Sequence, residues 1–140
     1  MSGMAFNLDK LAAELAQTIV EKVKKNHKQK EIDTLERLVT KTMGVMQEQG
    51  VYAMLLFLLS RTGDEKKIAP FIRDQIYNAL RSLPGFTGNS EIPNSKSDAQ
   101  AALAFCSKYL LNDLDQLFLL RDLYEQMLIY TRFGAKAEDK

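Results

Sequence analysis

Apolar side chains recur along this chain at three- and four-residue steps, and no stretch alternates strictly between apolar and polar. That period predicts helices rather than strands. From Asn7, the residues Leu8, Leu11, Ala12, Leu15, Ile19 and Val23 form one stripe, with Lys10, Glu14, Gln17 and Glu21 outside it. A second helix is expected from about Glu31 to Gln49, where Ile32, Leu35, Leu38, Val39, Thr42, Met43 and Met46 hold the stripe. Gly50 marks its end or a tight bend. Val51 to Leu59 is apolar almost throughout and rich in leucine, which favours a buried helix ending at Ser60-Arg61-Thr62-Gly63.

Asp64 is a fair N-cap. Ile68, Phe71, Ile72, Ile76, Ala79, Leu80 and Leu83 make the next stripe, disturbed by Pro70. The preferred solution is a short helical turn over 64–69 and a helix from about Pro70 to Leu83. Pro84 to Lys96 has no period and collects prolines, glycines and small polar residues. It is expected to be a mobile or partner-ordered loop. Ser97-Asp98-Ala99-Gln100 reads as a capping box opening a fifth helix through Leu111. The longest element expected is Asn112 to Gly134, with Asn112 or Asp113 as cap and Gly134 at its end. It is apolar on nearly every side, so it should lie at the centre of the bundle. The tail, 135–140, should fray.

The prediction is therefore an all-α, single-domain bundle of five to six helices over 1–140. Residues 1–6 read as a flexible N-terminus or cloning remnant ahead of a native Met4. A length of 140 residues with 46% hydrophobic and 26% charged residues fits one globular domain. No targeting signal is apparent, and the longest apolar run is nine residues, so a soluble cytoplasmic protein with no membrane partner is expected. The single cysteine, Cys106, allows no internal disulfide and sits where a buried side chain is expected.

The chemistry expected is that of a binding module: no catalytic residue, no metal site and no cofactor. His27, the lone histidine, is hemmed in by lysines and has no second ligand beside it. Gly85 and Gly88 lack the lysine of a phosphate loop. Each acid pair is explained by a helix start or by the tail. Whether Tyr52, Tyr77 and Tyr124 belong to the core or to an interface stays open.

Net charge is +1, so binding to a polyanion has to come from how charge is distributed. The dense cluster is Lys22, Lys24, Lys25, Lys28 and Lys30 around His27, without an acid among them. It reads either as a solvated helix end or as a phosphate-binding cluster. Lys41, Arg61, Lys66, Lys67, Arg73 and Arg81 are the other scattered bases. If the Lys22–Lys30 and Arg61–Lys67 turns share one end of the bundle, they form one basic surface able to grip phosphates without reading sequence. No aromatic residues interleave with the lysines, which argues against base stacking.

Thr34-Leu35-Glu36-Arg37-Leu38-Val39-Thr40-Lys41, followed by Met46, Gly50-Val51-Tyr52-Ala53 and Leu56-Phe57-Leu58-Leu59-Ser60-Arg61, resembles a family pattern. The closing Leu117–Tyr124 and Ile129–Ala137 stretches do so too. The family is the small all-helical subunit of type III CRISPR effector complexes, especially the Cmr (III-B) form. The resemblance covers about half the chain and follows helical patterns rather than an invariant motif. It implies a non-catalytic subunit in antiviral defence whose copies stack beside other effector subunits and line the channel holding guide RNA and target RNA. Carried onto this sequence, it makes Lys24, Lys25, Lys28, Lys41, Arg61, Lys67 and Arg73 the expected RNA-backbone contacts. The alternative is a helical protein–protein adaptor with no nucleic-acid role.

Overall fold

A computed structural model describes residues 6–26, 29–86, 89–94 and 96–138. Among them are six α-helices and no strand: α1 (Leu8–Asn26), α2 (Gln29–Gln49), α3 (Val51–Leu59), α4 (Asp64–Arg81), α5 (Ala99–Phe105) and α6 (Leu114–Glu138). One apolar cluster draws side chains from all six helices, so the fold is the expected all-α single-domain bundle. The flexible leader of 1–6 falls outside the described residues except for Phe6, which packs against the core.

α1 begins where Asn7 Oδ1 accepts the backbone N–H of Lys10 at 3.0 Å. α2 turns back along α1. α6 then runs in the direction of α1, touching Asp9 at Tyr130 and Lys24 at Glu138. Against α2 it runs the other way, with Lys136 beside Glu36 and Glu125 beside Gln47. α6 is thus the central element over its second half, where Leu120, Leu123, Tyr124, Met127, Leu128, Thr131 and Ala135 are wholly buried. The two buried threonines satisfy their hydroxyls one turn back. Thr131 donates to the Met127 carbonyl at 2.8 Å and Thr42 to that of Leu38 at 2.7 Å. Tyr124 donates its phenol to the Ile76 carbonyl at 2.9 Å, joining α6 to α4.

The expectation of burial on all sides fails for the first turns of α6. Leu114 and Phe118 are 63% and 59% exposed. At 25 residues α6 is longer than α1 (19) or α2 (21), and its first turns are covered on one side only, by the 84–86 segment. Asp113, rather than Asn112, caps it, accepting from Gln116 N at 3.1 Å. The helix also passes through Gly134 instead of ending there. A Cβ at Gly134 would stand 3.1 Å from Val20 Cγ2, so this glycine lets α1 and α6 come close. Buried Ala135 holds the next turn, and the expected fraying is replaced by helix through Glu138.

α4 is continuous from Asp64, correcting the expected break before Pro70. Proline there removes the N–H that would reach the carbonyl of exposed Lys66, while Ile68, Ala69 and Ile72 around it are fully buried. Asp64 is the first helical residue, not the cap. Gly63 precedes it at φ 61°, a left-handed conformation that suits glycine. Asp98, not Ser97, caps α5, accepting from Ala101 N at 2.8 Å. Ser97 Oγ instead accepts from Asn94 N. α5 lasts only seven residues before a π-helical turn, Cys106–Leu110, interrupts the expected single helix.

The 84–96 connection is more anchored than its composition implies. Phe86 and Pro93 are buried, and Gln116 Nε2 donates to the Pro84 carbonyl at 3.1 Å. Glu91, in a short 3₁₀ turn (Asn89–Glu91), accepts from the Tyr109 hydroxyl and from Lys108 at 3.4 Å. The Phe86, Phe105 and Tyr109 rings pack together with centroids 5.1–6.2 Å apart.

Candidate nucleic-acid interface

The start of α2 and the start of α4, far apart in sequence, come together in space. Lys30 Nζ, in the first turn of α2, lies 3.5 Å from Asp64 Oδ2, the first residue of α4. Farther along α2, Lys41 Nζ lies 2.7 Å from Glu65 Oε2. The same carboxylate takes Arg61 Nη1 on Oε1 at 3.2 Å. The two basic stretches therefore share a side of the bundle, but Asp64 and Glu65 stand between them.

Among the expected contact residues, Lys24, Lys25 and Lys67 are exposed in this region. Lys24 is paired with Glu138 Oε1 at 3.0 Å. Lys25 and Lys67, together with Lys66, are exposed and make no side-chain hydrogen bond or ion pair among the described residues. Lys28 lies outside the described residues, as does His27. Lys41 is exposed but committed to Glu65.

Arg61 and Arg73, both expected at phosphates, each have intramolecular partners at the end of α3. Arg61 Nε donates to the Phe57 carbonyl at 2.9 Å, its guanidinium stacks 3.7 Å from the centre of the Phe57 ring, and Nη2 reaches Ser60 Oγ. Arg73 Nη1 donates to the Leu58 carbonyl at 3.4 Å. Both guanidiniums thus donate to carbonyls at the C-terminus of α3, Arg61 adding to the bonds that Ser60 already makes to Phe57. The Arg61–Glu65 spacing of four residues was a visible sign that Arg61 had an intramolecular partner.

Glu65 is the electrostatic centre of this side. Partial burial favours its neutral form, but hydrogen bonds and charge from Lys41 and Arg61 outweigh that, and its carboxyl titrates below the usual 4.5. Its stabilising contribution is complete above that usual value and is lost as pH falls through its lowered folded-state value. Glu65→Gln should flatten the acid limb of the stability curve below about pH 4.5, measured as urea midpoints between pH 3 and 6.

Cys106 is completely buried, and burial pushes its thiol up to about 11. The native protein should react with a thiol reagent such as DTNB at least ~100-fold more slowly than the urea-unfolded chain. Tyr77 and Tyr124 are core residues, while Tyr52 is 36% exposed. Among the described residues, no group of three or more His, Cys, Asp or Glu side chains is placed to hold a metal ion. No described helix is long and apolar enough to cross a membrane.

What this arrangement can do chemically is offer ammonium groups to a polyanion, beside a carboxylate-tied structural network. No family model, curated protein sequence or solved structure matches the chain.

Proposed function

We propose that this protein is the non-catalytic small subunit of a type III CRISPR effector complex. It contacts guide or target RNA through phosphates, without reading base sequence. The sequence resemblance gives the class of assembly. The observation that supports the RNA contact is the Lys30–Asp64 pair, which joins the start of α2 to the start of α4, together with the exposure of Lys25, Lys66 and Lys67. Lys24 adds to this surface when its exposed pair with Glu138 opens, since such pairs are worth about 1 kcal/mol or less. Arg61 and Arg73 support the surface from beneath by closing α3, and Lys41 by holding Glu65.

A second reading, a helical adaptor with no nucleic-acid role, is favoured by two observations. Glu65 occupies two of the bases expected at the phosphates, and Leu114 and Phe118 are left as an exposed apolar pair on α6.

Counterion release separates the two. Three lysines at phosphates add about 2–3 units per copy to the slope of log affinity against log salt. Target-RNA binding by the assembled complex, measured from 50 to 200 mM salt with and without this chain, should show that difference. An unchanged slope favours the adaptor.

A further inference from the structure

α1 and α6 do not close against each other along their whole length. Between them lies an open trough of about 460 Å³. Its floor is made of small or short side chains: Ala13, Ala16 and Val20 on α1, Gly134 and Ala137 on α6. Gly134 sets this shape, because its missing side chain brings α6 down onto Val20.

Two further features distinguish the trough from a packing fault. The first is its charge. Asp9 and Glu21 line the α1 side and Glu138 the α6 side. Asp9 accepts the hydroxyl of Tyr130, a hydrogen bond that raises the phenol's pKa. Glu138 has Lys24 as its partner, while Glu21 has none among the described residues. The second feature is Phe133, 61% exposed. It is three residues from Tyr130 and four from Ala137, so it stands beside the trough on the outer side of α6. A large apolar ring left in water next to an apolar floor marks an interaction surface.

Length decides what could fill it. From Asp9 to Glu21 is twelve residues of helix, about 18 Å, which is three turns and longer than a compact metabolite needs. The small floor permits close approach of another backbone, as in helix-in-groove recognition.

We infer that the α1–α6 trough docks an amphipathic helix of a partner protein, with a small apolar face and lysines or arginines flanking it. The apolar face lies on Ala13, Ala16 and Ala137 beside Phe133, and the basic flanks meet Asp9 and Glu21. This surface adjoins the proposed RNA face at the Lys24–Glu138 pair, but its docking role does not depend on the RNA proposal.

The test uses the full chain and two synthetic 18-residue helical peptides with the same alanine–leucine face, one flanked by lysines and one by glutamates. Fluorescence anisotropy should show the lysine peptide binding at least ~10-fold more tightly, an advantage that shrinks as salt rises. Ala137→Trp, at an exposed position, fills the trough and should weaken binding at least ~10-fold, and Glu21→Lys should erase the preference between the peptides. Gln17→Trp blocks the same trough from α1 and replaces Ala137→Trp if that variant loses its helical circular dichroism. Equal binding of both peptides, or binding indifferent to the tryptophan, overturns the proposal. So does sedimentation showing that the wild type self-associates and the tryptophan variant does not, because the occupant is then a second copy.

Discussion

Tyr124→Ala should lower the unfolding temperature by roughly 10–20 °C, corresponding to a loss of about 3–5 kcal/mol. The ring is wholly buried in α6, inside a core cluster to which every other helix contributes. Its removal leaves a cavity in the core, where neighbours fixed in helices cannot collapse to fill it. The hydroxyl is a smaller part of the effect. It donates to the Ile76 carbonyl at 2.9 Å, and Tyr124→Phe should cost about 1 kcal/mol. Thermal unfolding followed by circular dichroism checks both. If the alanine variant melts within a few degrees of wild type, α6 is not the centre of the core.

The other large effect concerns RNA. The combined change Lys25→Glu, Lys66→Glu and Lys67→Glu should weaken target-RNA binding by the assembled complex by at least ~10-fold at 0.1 M salt. All three positions are exposed and without partners among the described residues, so stability should change by less than about 0.5 kcal/mol each. The reversed charges also repel phosphates and add to the nearby Asp64 and Glu65. Arg61→Gln is the contrasting variant: it releases the end of α3 and leaves Glu65 with Lys41 alone, so it should act mainly on stability. Single copies of the chain are poor reporters, because a few charges act strongly only when several copies line up along one strand.

The order and type of the helices were legible in the sequence because three- and four-residue apolar spacing survives in α1, α2, α4 and the second half of α6. What was not legible was decided by tertiary contacts. Pro70 should end a helix on local grounds, yet burial of Ile68, Ala69 and Ile72 on either side holds α4 together. Gly134 looks like a helix stop until Val20 is known to press against it. The 84–96 connection lacks any period, and its anchors, Phe86 in an aromatic cluster and Glu91 on Tyr109, come from partners about twenty residues away.

The candidate site was legible in part. Lysine density around residue 25 pointed to one basic turn, and the second turn could be named but not placed. The Lys30–Asp64 contact places it. Sequence reading counted positive side chains without knowing which already held a carboxylate or a helix end. Charge and spacing alone do not reveal that the Arg61 and Arg73 guanidiniums reach the α3 carbonyls.

Lysine acetylation footprinting of the assembled complex, with and without bound RNA, tests the central claim most directly. Lys25, Lys66 and Lys67 should be protected when RNA is present, while Lys10 on α1 and Lys108 beside Glu91 should react equally in both states. Unchanged modification at all three, or RNA-dependent protection confined to Lys10 and Lys108, would contradict the assignment of this face to the RNA backbone.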